Sequence, residues 1–202
     1  MEKISGIFSA LEAHRDSNPM KAVFVHGYQG HPMGGFRPYL KRGLEARGWS
    51  VSAPAMPSPD EPRAEEWVAA IAKEVGIAGE GCVLVGHSLG CIAILRYLEG
   101  KGRKVRGAVL VAGFAEKLGD DFKAIEGFVE KPLDFAKVRG NCGKMVAIFS
   151  DNDPYVPLSQ AALFEKKLGA KTVVLHARGH FSSSEGTTEL PEALAEIVGM
   201  ER

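Results

Sequence analysis

The sequence predicts an α/β fold: one domain in which a mostly parallel six-stranded sheet carries helices on both faces and has no large lid. Three observations point there. Six short runs rich in apolar and β-branched residues are spread along the chain. Stretches with helical spacing lie between them. Most of the runs are nearly continuous in apolar character, as expected of strands buried on both sides. Alternation of this kind builds a parallel sheet through helical crossovers.

In chain order, residues 1–20 are an N-terminal extension. Ile4, Ile7, Phe8 and Leu11 fall on one helical face before "DSNP" stops the pattern. This amphipathic helix is expected to pack on the body or to meet a second copy, so monomer and homodimer both stay open. The domain proper spans 21–202. "KAVFVHG" (21–27) reads as its first strand and "FRPYLKRGLEARG" (36–48) as its first helix. The strand "WSVSAPA" (49–55) precedes "EPRAEEWVAAIAKEVG" (61–76), where Trp67, Ile71 and Val75 share a face. "CVLVGH" (82–87) leads almost directly into helical "LGCIAILRYLEG" (89–100). The strands "VRGAVLVAG" (105–113), "KMVAIFSD" (144–151) and "KTVVLHA" (171–177) follow, with helices "LSQAALFEKKLG" (158–169) and "LPEALAEIVGM" (190–200). Glycine stands at several helix ends, where a left-handed terminal residue is common. The connection from Phe114 to Gly143 has apolar positions for one or two short helices that cover the sheet, and none to spare for a separate cap.

Composition narrows the function classes. Of 202 residues, 45% are apolar and 25% charged, with Lys and Arg balanced against Asp and Glu, so the usual electrostatic reason to expect nucleic-acid or membrane-surface binding is missing. The one basic cluster, "KGRKVR" (101–106), reads as a solvated loop. Cys82, Cys91 and Cys142 are odd in number and form no Cys-x-x-Cys pair, which argues against a disulfide framework and a zinc site. No run approaches the ~18 apolar residues of a membrane span, and the N-terminus lacks a signal-peptide core. A cytoplasmic location is expected.

The chemistry centres on "CVLVGHSLGC" (82–91). Ser88 sits where a strand pattern becomes a helix pattern, between Gly86 and Gly90. A sharp turn that exposes a hydroxyl needs such small neighbours, and the helix N-terminus beyond it suits an oxyanion. A serine needs a base to become nucleophilic, and in this arrangement the chain order is serine, acid, histidine. His180 follows the break "ARGH" beyond a strand end and is the better base. His176, inside "TVVLHA", reads as a wall or core residue. The acid is expected past another strand, where "IFSDNDPYVP" offers Asp151 and Asp153. Asp120, Asp121 and Asp134 fall outside strand ends. The loop "VFVHGYQGHPMGG" (23–35) can bring the N–H of Tyr28 beside that of Leu89 as an oxyanion hole. His26 reads as loop-shaping, and His87 as turned away from the hydroxyl. Phe36, Phe114, Tyr155, Val156 and Phe181 are candidates to line the substrate pocket.

These motifs resemble the α/β-hydrolases, and more narrowly the small serine hydrolases related to retinoblastoma-binding protein nine and YdeN. The likeness runs from about residue 21 to the end, through "HGYQGHPMGGFRPYLKRGLE", "APAMPSPDEP", "GHSLGCIAILRY", "PLDFAKVRGNC", "SDNDPYVP" and "GHF". It implies Ser88 as nucleophile, His180 as base and Asp153, which directly precedes proline, as the acid. It implies an esterase-like enzyme with no metal or organic cofactor, acting on a small acyl substrate. An amide or thioester on the same residues is the nearest alternative. A protein-binding module with a vestigial site is the more distant one. With no lid to bury a long chain, short acyl groups are expected to react best.

Overall fold

The computed structural model describes residues 20–100 and 103–201. The expected N-terminal helix therefore lies outside the described residues. Six strands, β1 (Lys21–Val25), β2 (Ser50–Ser52), β3 (Cys82–His87), β4 (Val105–Val111), β5 (Cys142–Ser150) and β6 (Lys171–Leu175), form one sheet in the order β2-β1-β3-β4-β5-β6. Every neighbouring pair is parallel. Register aligns Val23 with Leu84, Leu84 with Ala108 and Ala108 with Met145, so one row of apolar side chains crosses four strands.

The period of two along each strand feeds two cores. Val23, Val25, Leu84, Leu110, Ala147 and Phe149 face one side. There they meet α2 (Ala64–Val75) through Trp67, Ile71 and Val75, and α3 (Leu89–Glu99), which is buried along nearly its whole length. Ala22, Phe24, Val83, Val85, Val109 and Ile148 face the other side, under α1 (Arg37–Glu45) and α6 (Pro191–Val198). Proline opens both of those helices within the first two positions, where its missing N–H costs nothing. Burial of a Leu, Val or Phe side chain in such layers contributes about 1.5–3 kcal/mol relative to exposure.

The segment after β4 holds a 3-10 stretch (Asp120–Phe128) and α4 (Phe135–Gly140), which Asp134 caps by accepting the Lys137 N–H at 3.1 Å. Phe128, Leu133 and Val138 cover the sheet as the pattern predicts. Leu118, Phe122 and Ile125 pack against the same core and also line a cleft above the strand ends. Helix α5 (Ser159–Leu163) loosens into a π turn (Phe164–Leu168) and stops at left-handed Gly169. None of the described helices is long and apolar enough to cross a membrane.

Strand order decides where a site can form. From β1 the chain steps outward to β2, then returns to place β3 on the other side of β1 and proceeds away. The connections leaving the C-terminal ends of β1 and β3 therefore diverge, and a crevice opens between them. Ser88 stands at the end of β3 and the 26–35 loop at the end of β1.

Candidate active site

Ser88 has φ 52° and ψ −119°, a backbone conformation that a non-glycine residue adopts only when its surroundings impose it, at a cost of about 1–3 kcal/mol. Its N–H donates to the Val111 carbonyl at 2.9 Å, and its own carbonyl accepts from Cys91 N–H at 2.9 Å. The flanking glycines are required by distance. A Cβ on Gly86 would stand 2.9 Å from the Cys91 Cα, and one on Gly90 would stand 2.3 Å from the Val25 carbonyl oxygen. The turn is thus wedged between α3 and β1. Leu89, the first residue of α3, has an N–H with no carbonyl behind it in the helix, and the positive end of the helix dipole lies at the same point.

His180 and Asp153 meet across 27 positions of sequence. The His180 Nδ1–H donates to the Asp153 carboxylate, 2.9 Å from Oδ2 and 3.0 Å from Oδ1. This fixes the tautomer and leaves Nε2 as the lone-pair nitrogen. The carboxylate is 1% exposed and also accepts N–H bonds from Tyr155 (2.9 Å) and Val156 (3.0 Å). Buried and bonded three ways, it has its direction set by the loop after β5. The Tyr155 ring packs edge-on against His180 with centroids 5.0 Å apart.

Two further groups hold the His180 backbone. Its N–H donates to both oxygens of Glu185 (3.0 and 2.9 Å), a carboxylate that also takes the Ser182 N–H and hydroxyl in a capping box. Net, these bonds hold the Glu185 carboxyl below its usual range against a desolvation that pushes upward. The His180 carbonyl accepts from Nε2–H of His87 at 2.8 Å. Burial, with His180 alongside, pushes His87 down to about 3, so it stays neutral and keeps that tautomer. His87 is therefore committed to the His180 backbone. His26, buried and lowered by that burial, donates Nδ1–H to the Gly27 carbonyl (2.8 Å) and accepts Met56 N–H at Nε2 (3.0 Å), which ties the β1 loop to the chain after β2.

Ser88 and His180 both face a cleft of about 700 Å³. Tyr28, Phe114, Tyr155 and Phe181 line it. Phe36 and Val156 do not: each is 1% exposed and belongs to the core, Phe36 against the edge of the His87 ring and Val156 on the α3 side of the sheet. His176 is the other correction. Its side chain is 90% exposed, beyond the end of edge strand β6, and its Nδ1 lies 2.6 Å from Asp151 Oδ2. Asp151 also accepts the Ala177 N–H at 2.8 Å. Sequence reasoning missed Glu185 and Arg37. The pattern Ser182-x-x-Glu185 is a readable capping-box signal, whereas nothing local marks Arg37. A hydroxyl on a strained turn, an imidazole with a bare nitrogen and a buried carboxylate, arranged beside a helix N-terminus, are the parts needed for acyl transfer.

Comparison with known proteins identifies the family. The serine hydrolase family model matches residues 22–198. YdeN of Bacillus subtilis is 32% identical over 173 residues, covering 85% of this chain and 90% of that one. Serine hydrolase RBBP9 of Rattus norvegicus is 30% identical over 172 residues, covering 84% and 91%. The crystal structure of the B. subtilis ydeN gene product superposes with a TM-score of 0.85, covering 90% of this chain and 98% of its own. On the family match and these two relatives, the chain belongs to the serine hydrolase family, in an α/β-hydrolase fold.

Proposed function

We propose that this serine hydrolase cleaves small ester-type acyl substrates through an acyl-enzyme on Ser88. The observation that carries the reading is the buried Asp153–His180 pair facing the same cleft as a serine on a strained strand-to-helix turn. His180 Nε2 takes the hydroxyl proton as Ser88 Oγ adds to the ester carbonyl, and the imidazolium that forms is stabilised by Asp153. The N–H groups of Tyr28 and Leu89 receive the oxyanion. The tetrahedral adduct collapses, His180 returns the proton to the leaving alcohol, and the acyl group stays on Ser88. Water, deprotonated by the same nitrogen, then releases the acid and restores the serine. Acyl groups of a few carbons fit best. The cleft's lining mixes apolar side chains (Phe114, Leu118, Phe122, Ile125, Tyr155) with the polar stretch from Ser182 to Glu185.

The test is labelling with a fluorophosphonate probe together with turnover of p-nitrophenyl butyrate. Wild type should label and turn over, and Ser88→Ala should do neither while keeping its melting temperature. Equal labelling of the two proteins would sink the nucleophile assignment. Running the thioester and the anilide of butyrate alongside ranks the bond type, and the laurate ester should be poorer than the butyrate.

A further inference from the structure

Arg37 is the feature the catalytic reading does not use. It is 6% exposed, yet it lines the cleft that holds Ser88 and His180. A buried charge is expected to carry an opposite charge, and Arg37 has no carboxylate partner among the described residues. Its Nε–H donates to the Pro32 carbonyl at 3.0 Å and its Nη2–H to the His31 carbonyl at 2.7 Å. A guanidinium has further donors in a rigid fork, and both hydrogens on Nη1 have no acceptor among the described residues. Gly34 packs closely on the guanidinium: a Cβ there would lie 3.1 Å from Nη2.

The other charged side chain on the cleft wall is Glu185, and it does not answer Arg37. Its oxygens are taken by the His180 N–H, the Ser182 N–H and the Ser182 hydroxyl. Burial lowers Arg37 to about 10, so the guanidinium is still charged at neutral pH. What remains is a cation held by two backbone carbonyls in a cleft that apolar side chains also line.

We propose that Arg37 selects substrates whose acyl part ends in a carboxylate, so that the cleft favours monoesters of short dicarboxylic acids over neutral esters of the same length. The planar, two-oxygen anion matches the free side of the fork, and the methylenes between it and the ester lie along the apolar side chains. This rests on the acyl-hydrolase reading and names the substrate class for it.

The experiment compares monoethyl succinate, glutarate and adipate with ethyl butyrate, pentanoate and hexanoate, which match them in acyl length with a methyl in place of the carboxylate. Hydrolysis is followed by alkali uptake, and the same esters are used as competitors of fluorophosphonate labelling, which requires binding alone. In wild type the best monoester should exceed its neutral partner in kcat/KM by about tenfold or more, chiefly through KM. In Arg37→Met that ratio should fall to one or below, and Arg37→Lys should restore part of it. The ratio is taken within one preparation, so a loop disturbed by the change lowers both numbers together. A wild type that labels but prefers the neutral ester, or an Arg37→Met enzyme that keeps the preference, overturns the assignment. Failure of wild type to label would instead strike the acyl-enzyme reading itself.

Discussion

Two aspartate–histidine pairs lie past the ends of β5 and β6, built from the same loops. Asp151 meets His176 at 2.6 Å, and Asp153 meets His180 at 2.9 Å. By distance alone the first pair is the tighter. Their surroundings reverse that ranking. The side chains of Asp151 and His176 are 36% and 90% exposed, those of Asp153 and His180 1% and 11%. Water screens the first pair and lets its histidine move, whereas the second is fixed by loop N–H groups, by Glu185 and by His87. A contact distance says that two groups can interact. Burial and second partners say whether the interaction is stiff enough to orient a proton.

The sharpest way to break this comparison is to remove one charge from each pair. Asp153→Asn should lower kcat by about 10³- to 10⁴-fold, the scale for an acid that holds the histidine tautomer. If Asp151→Asn cost as much, the ranking by burial would be wrong. A smaller effect is expected one shell out. Glu185→Gln loosens the loop behind His180 and should cost about tenfold in kcat/KM, since small misplacements of a base are expensive. Solvent screening at that exposed carboxylate holds the stability loss to about 1 kcal/mol, and a melting curve beside the kinetics separates the two.

Acid stability sharpens the contrast further. His87 is neutral in the folded state with its pKa depressed from about 6.5 to about 3. The unfolded chain binds that proton more readily, so the stability His87 contributes is complete above about pH 6.5 and is lost as pH falls toward about 3. His87→Gln should make the fall of melting temperature across that window shallower. The smallest effect belongs to the exposed pair. The Ala177 N–H, then His176, hold the Asp151 carboxyl below its usual range. Its contribution is present above about pH 3.9 and disappears as pH drops through the folded value. Asp151→Asn should flatten only that acid limb and leave kcat/KM within about twofold.

Much of this was legible in the sequence because the signals are local. A strand pattern that becomes a helix across one serine between two glycines fixes the turn around Ser88, and the clash distances at Gly86 and Gly90 give the reason. The break "ARGH" put His180 beyond a strand. What the sequence hid depends on neighbours far along the chain. His176 follows a run of valines that looks like core, but β6 is an edge strand, and no local pattern says which strand lies outermost. Phe36 is aromatic and near the site loop, yet its ring turns inward to the core because α1 lies on the sheet face there. Arg37, the next residue, reaches the cleft, and a buried cation with no carboxylate partner among the described residues is a tertiary property without a sequence signature.

The bond from His87 to the carbonyl of His180 has a consequence for timing. It joins the residue before the proposed nucleophile to the backbone of the proposed base, without using the side-chain nitrogen or the hydroxyl assigned to the reaction. When an acyl group occupies Ser88, the serine can no longer offer its hydroxyl to His180, and any link through that proton is gone. The backbone latch remains closed. The distance between the two halves of the site is therefore held by a part with no role in either proton transfer. The second half of the proposed cycle, in which water must find the same nitrogen, begins from the geometry that served the first.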